Sequence, residues 1–269
     1  MSNGRKINLH NHTYYCRHGS GNVADYMYWA EKENITVLAF SEHVPLPDEV
    51  LLRSRLRIET LPFLWKEMED ASAAYPGIKL LRALEGEYIP EFMNFQKELK
   101  EAHKLDFMIA SNHYIWLDGH DNKFPSVTDR GALKIVAEQS IALIESGLGI
   151  FFAHPDLFFA LGCPWSDEAK AVSKDIIECA KAHKLPLEIN AYGLRKDMIT
   201  DADGVTRPRY PKREFWELAA EIGGIEVVCN SDAHTPSAIW RGVPECMAWA
   251  AELDLPVVNE RLAREILTK

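Results

Sequence analysis

Ile35-Thr36-Val37-Leu38-Ala39-Phe40-Ser41-Glu42-His43 is an apolar run that ends on a hydroxyl, an acid and an imidazole. A strand buried on both faces has this continuous apolar character. Only its C-terminal tip then offers polar groups. The same pattern recurs along the chain. Lys6 to His12 is one such run, Ile78 to Leu84 leads to Glu85, and Asp106 to Ala110 leads to Ser111-Asn112-His113. Gly149 to Ala153 leads to His154-Pro155, and Ile225 to Cys229 precedes Asn230-Ser231-Asp232-Ala233-His234. Leu185 to Asn190 is the one run without a candidate ligand.

Helical stretches separate these runs: Asn22 to Glu33, Glu59 to Ala74, Glu91 to His103, Asp129 to Ser146, Ser166 to His183 and Pro211 to Ile222. Ser166 suits an N-cap. Pro211 suits a first helical position, with Gly223-Gly224 beyond the end. Thr235-Pro236 reads as the cap and first turn of another helix. Seven alternating βα units predict an α/β fold, a distorted TIM-like (β/α)7 barrel with parallel strands inside and helices outside. An open doubly wound sheet is the alternative. It gathers ligands at one switch point and accounts less well for polar tips on six runs. Residues 1–269 read as a single catalytic domain without repeats or linkers.

The net charge of -10 argues against nucleic-acid binding, which needs a basic surface. Five cysteines without a C-x-x-C pair read as reduced thiols of a cytoplasmic protein. No leader is visible at the N-terminus and no apolar stretch is long enough to span a membrane.

A lone histidine is usually a surface or core residue, and His103, His120 and His183 are read that way; His103 and His183 fall late in helices, where a cation suits the dipole. His10, His12, His18, His43, Glu85, His113, His154, Asp232 and His234 differ, because they gather at or near the strand tips. Imidazole and carboxylate donors suit zinc, manganese or iron. Parity puts Asn8, His10 and His12 on one face of the first strand. It does the same for Asn230, Asp232 and His234 if the last strand runs on.

The motifs His10-Asn11-His12, Cys16-Arg17-His18-Gly19, Ser41-Glu42-His43, Ala83-Leu84-Glu85, Ser111-Asn112-His113, His154-Pro155 and Ser231-Asp232-Ala233-His234 resemble the polymerase and histidinol phosphatase (PHP) family nearly end to end. Ser41 to Pro47 and Glu188 to Lys196 are similar to its histidinol-phosphate phosphatase branch. The resemblance implies three divalent ions. One would sit on His10, His12, Glu85 and Asp232, a second on the bridging Glu85 with His113 and His154, and a third on His18, His43 and His234. Glu87 competes with Glu85 by parity and is read as a supporting residue. Cys16 is read as a packed small hydrophobe rather than a thiolate ligand.

The implied reaction is hydrolysis of a small phosphomonoester, L-histidinol phosphate, by a hydroxide shared between paired ions. Arg195 or Arg17 would bind the phosphate, and Asp232 or a water would protonate the leaving alkoxide. Asp48 to Arg57 is a candidate lid whose acids Asp48 and Glu49 could meet a substrate amine. Tyr114 and Trp116 could stack on its imidazole. A phosphodiesterase or nuclease of the same fold is the main alternative. A non-catalytic metal-stabilised domain would not need all nine ligands. An amidohydrolase would want a bridging lysine, and no strand tip carries one. Metal identity and oligomeric state are not encoded in these motifs.

Overall fold

A computed structural model describes residues 5–117, 120–123, 130–201 and 204–268. Its elements follow in chain order as β1 (Lys6–Asn8), α1 (Val23–Lys32), β2 (Ile35–His43), α2 (Leu61–Ala74), β3 (Lys79–Glu85), α3 (Met93–Ala102) and β4 (Phe107–Ile109). The hairpin of β5 (Tyr114–Leu117) and β6 (His120–Lys123) leads to α4 (Arg130–Glu145) and later α5 (Asp167–Ala182). Then come β7 (Leu187–Asn190), a small hairpin of β8 (Ile199–Thr200) and β9 (Thr206–Arg207), α6 (Arg213–Ile222), β10 (Val227–Asn230), α7 (Val243–Glu252) and α8 (Asn259–Leu267).

Strands β1, β2, β3 and β4 pair in that order, all parallel. Residues 149–153 continue the wall. Ala153 N–H donates to Ala110 O at 2.8 Å, and Glu188 N–H donates to Phe152 O at 2.9 Å. Next, β7 pairs in parallel with β10. The ring closes where His12 N–H donates to Ala233 O at 2.9 Å. Below that point a gap between β10 and β1 is lined by residues 256–259: Val258 N–H donates to Val227 O at 2.8 Å, and the Asn259 side chain accepts from Cys229 N–H at 2.9 Å. The result is the expected distorted barrel of parallel strands.

Two apolar layers follow from strand parity. Ile7, Leu9, Val37, Ala39, Leu81, Ala83, Phe107, Ile109, Phe151, Ala153 and Val228 fill the interior, plugged from below by Leu262 and Ala263 of α8. Leu38, Phe40, Leu84 and Met108 face outward to the helices. On β2 and β3 the inward rows continue upward from Ala39 to Ser41 and His43, and from Ala83 to Glu85. One row therefore supplies core at the bottom and ligands at the top.

Several local expectations change. Thr235-Pro236 opens only a 3-10 turn, Pro236–Ala238, and the helix begins later at Val243. Helix α6 begins at Arg213, beyond Pro211. The β5–β6 hairpin carried no sequence signal. It turns Trp116 inward, where its Nε1–H donates to Glu91 at 2.8 Å, away from any stacking role. The side chain of His120 lies outside the described residues. Asp48 to Arg57 folds as 3-10 turns with Asp48, Glu49 and Leu51 at positive φ. Among the described residues no helix is long and apolar enough to cross a membrane.

Candidate metal centre

Glu85 ends β3 with its side chain fully buried. Its Oε2 lies 2.8 Å from His43 Nδ1, 3.4 Å from His12 Nε2 and 3.5 Å from His10 Nε2. Its Oε1 lies 3.0 Å from His154 Nε2 and 3.3 Å from His113 Nε2. Asp232 Oδ1 lies 3.2 Å from His12 Nε2, 3.4 Å from His234 Nδ1 and 3.7 Å from His10 Nε2. His18 joins through its Nε2, 2.9 Å from His234 Nε2. All nine expected residues therefore converge at the C-terminal mouth of the barrel.

Direct hydrogen bonds do not account for this packing. Glu85 Oε2, Asp232 Oδ1, His12 Nδ1, His43 Nδ1 and His154 Nδ1 are buried without an aligned partner. Nitrogen faces nitrogen in two places, since His10 Nε2 and His12 Nε2 are 3.1 Å apart and His18 repeats the arrangement with His234. Buried polar atoms are costly when unpaired. A set of nitrogen and carboxylate lone pairs pointing inward fits divalent cations. His10, His12 and Glu85 form one such group, and His43, Glu85 and His113 another. His12, His43 and His234 form a third. His43 thus stands closer to Glu85 than the third-ion set implied. Its ring is stacked between His12 and His18 at centroid distances of 4.4 and 5.3 Å.

Parity explains this only in part. Asn8 turns away, donating to Ser231 Oγ at 2.7 Å and to Ile239 O at 2.7 Å, whereas His10 lies over the interior Phe151. Strand β10 stops at Asn230, and Asp232 takes φ 48. His154 similarly takes φ 33. Both side chains reach the centre through left-handed backbone, which non-glycine residues adopt at a cost.

A set of acids stands behind the imidazoles. Glu188, on the run expected to carry no ligand, lies 2.9 Å from His10 Nδ1. It also accepts from Asn190 Nδ2 at 2.7 Å and Asn230 Nδ2 at 2.9 Å. A carboxylate inside a buried strand is the sequence signal that marks it, because such a charge needs partners. Glu87 lies 2.8 Å from His113 Nδ1 and accepts from Arg55 Nη2 at 2.6 Å. Glu42 accepts from Thr13 N–H at 2.7 Å and Thr13 Oγ1–H at 2.6 Å. Its other oxygen is 3.9 Å from His12 Nδ1. Burial pushes the Glu42 carboxyl up to about 7. Such partners fix the tautomer and orientation of ligating histidines.

With only protein charges acting, protons are shared unevenly. Burial lowers His43 well below its ordinary value and His234 to about 3. Burial also pulls on His10, but Glu188, Asp232 and Glu85 more than offset it and raise this imidazole. Glu85 is held well below the usual carboxylate range, since its surrounding imidazoles outweigh its burial.

The arginines are occupied. Arg195 donates to Ser231 O at 2.7 Å, Asp232 O at 3.2 Å and Arg241 O at 2.7 Å. Its neighbour Tyr192 stacks on His234, centroids 4.6 Å apart. Arg17 donates to Leu52 O at 3.1 Å on the exposed rim. Cys16 donates to Thr13 O at 3.1 Å, and burial pushes its thiol up to about 12. That matches a packed thiol.

Fold and centre together define a barrel protein with a carboxylate-centred, histidine-rich metal-binding mouth. The family model of the PHP domain matches residues 8–192. The chain belongs to the PHP domain family. It is 28% identical over 236 residues to the probable histidinol-phosphatase of Deinococcus radiodurans, covering 86% of each chain. A proposed histidinol phosphatase of Listeria monocytogenes shares the fold with TM-score 0.74 and 21% identity over 89% of this chain and 99% of that one. The histidinol phosphate phosphatase of Lactococcus lactis, solved with zinc, L-histidinol and phosphate, gives TM-score 0.71 and 16% identity over 93% and 94% of the two chains.

Proposed function

We propose that this chain is a metal-dependent phosphomonoesterase that hydrolyses L-histidinol phosphate to L-histidinol and phosphate. The observation that carries this reading is Glu85, one buried carboxylate within 3.5 Å of five imidazole nitrogens at the barrel mouth. The relatives named above and the zinc, L-histidinol and phosphate bound by the Lactococcus lactis protein support the substrate and the metal class.

His10, His12, Glu85 and Asp232 would hold one ion, Glu85, His113 and His154 a second, and His18, His43 and His234 a third. When bound, divalent ions supply an activated water and neutralise phosphoryl oxygens. Glu188 and Glu87 keep His10 and His113 oriented, and the Glu42 carboxyl stands 3.9 Å from His12 without bonding it. Asp232 or a metal-bound water would supply the proton that the leaving alkoxide needs. Arg195 fixes the carbonyls on both sides of the Ser231–Asp232 peptide and so positions Asp232. Of the two arginines, Arg17 at the exposed rim is the freer to reach a phosphate. The protein would act in the cytoplasm on a small molecule.

The test is phosphate release from L-histidinol phosphate by metal-loaded protein, beside p-nitrophenyl phosphate and a dinucleotide. Strong preference for the first, abolished by a chelator, is the expected result. Preference for the dinucleotide would favour the phosphodiesterase. Glu85→Ala should lose bound metal and nearly all activity; a variant that keeps both would overturn the assignment of the centre.

A further inference from the structure

Among the described residues, one group of ligand-type side chains converges outside the barrel mouth: Glu145, Cys179 and His183. Glu145 is the last residue of α4. Cys179 lies in the final turn of α5, and His183 is its C-cap. Residues four apart on a helix stand on one face, one above the other. Cys179 and His183 therefore present sulfur and imidazole together, and α4 brings the carboxylate across the seam. One carboxylate oxygen, the sulfur and one ring nitrogen all lie within 4.8 Å of one another.

A tetrahedral zinc ion with bonds of about 2.0–2.3 Å holds its donor atoms roughly 3.5 Å apart, so small side-chain rotations complete the set. Glu145 and His183 are exposed and Cys179 is half-buried, which leaves the seam open to solvent ions. Burial and the nearby Glu145 together raise the Cys179 thiol, which places the carboxylate beside the sulfur. The donor set also discriminates: a thiolate beside an imidazole favours zinc or cobalt over the hard ions manganese and magnesium.

We propose that Glu145, Cys179 and His183 form a second, zinc-type metal site that clips α4 to α5, with water in the fourth position. It is separate from the mouth and takes no part in hydrolysis. Zinc binding there requires loss of the thiol proton to solvent and involves no change of oxidation state.

The experiment is a Co2+ titration of the full chain, read by the thiolate-to-cobalt charge-transfer absorption in the near ultraviolet. The nine donors expected at the mouth are nitrogen and oxygen and give no such band. Cys16 is the one thiol grouped with mouth histidines, so Cys16→Ser is titrated in parallel. The expected band is present in the native chain and in Cys16→Ser and lost in Cys179→Ser. Zinc content should fall by one ion per chain in Cys179→Ser while phosphatase activity is unchanged. A band absent from the native chain, or persisting in Cys179→Ser, overturns the site. Should Cys179→Ser fail to fold, the exposed His183→Ala decides. Weakened cobalt binding supports the site, and an unchanged band rejects it.

Discussion

His10 depends on Glu188 as much as on its own position. Glu188 takes the ring Nδ1 and the amides of Asn190 and Asn230, so its charge is distributed over a closed network. Replacing it by glutamine keeps the volume and removes the charge that holds the ring. Loss of a partner of this kind lowers metal affinity or activity by about 10–100-fold. Glu188→Gln should therefore show a deficit in kcat/KM that excess metal partly restores, with the melting temperature little changed. Native metal affinity and rate in this variant would remove Glu188 from any orienting role. The centre itself was legible because its donors sit on tips of apolar runs. Glu188 was readable in principle, as an acid in a strand with no exposed face. The approach of Asp232 and His154 was not, since parity assumes extended backbone and both residues leave it.

At the scale of elements, the segment read as a lid is tied to the centre. Arg55 is buried and donates to Glu87, which in turn holds His113. Removing one member of a buried ion pair strands the other charge and costs about 3–5 kcal/mol. Arg55→Met should show that loss in chemical denaturation. Arg55→Met with Glu87→Gln should recover much of the stability but not the activity, because His113 stays unsupported. Recovery of both would mean that the pair serves packing alone. The β8–β9 hairpin is anchored in the same manner. Asp201 accepts from Arg207 Nε at 2.8 Å and Lys212 Nζ at 2.9 Å. Burial pulls its carboxyl upward, but these bonds prevail and hold it below its ordinary 3.8. The folded chain thus binds this proton more weakly than the unfolded chain. Its stabilisation is complete above about pH 4 and is lost as pH falls through the lowered value. Asp201→Asn should melt about 10 °C lower at neutral pH, at roughly 2–4 °C per kcal/mol, and the difference from the native chain should narrow below pH 4. A constant difference across that range would sink the linkage. Helices and hairpins were less legible than strands. Thr235-Pro236 has the chemistry of a helix start, yet the chain makes one 3-10 turn there and the helix waits for Val243.

Across the whole molecule, the centre reaches from the well-paired tips of β2 and β3 to the seam where the barrel is closed by few backbone bonds. The ring closes between β1 and the chain after β10 through His12 N–H and Ala233 O, and the gap beneath is lined by a separate segment. Side chains from β2, β3, the segments that follow β1, β4 and β10 and the loop at His154 all meet at Glu85 and Asp232. Cations held there would tie the β2–β3 side of the barrel to the seam that His12 N–H and Ala233 O close. Ligands that bind only the folded state stabilise it by about 4 kcal/mol at a thousand times their dissociation constant. A chelator should consequently lower the melting temperature by about 10 °C or more, at roughly 2–4 °C per kcal/mol. Restoring zinc or manganese should reverse the loss. Acid should have a similar effect, because His10 and His113 hold their protons above the ordinary imidazole value and must release them to a metal. The measurement is a set of thermal melts with and without chelator between pH 5 and 8 on the native chain and Glu85→Ala. The chelator effect should shrink as pH falls and be small in the variant at every pH. Equal melting temperatures with and without chelator in the native chain would show that the barrel closes without help from its ions.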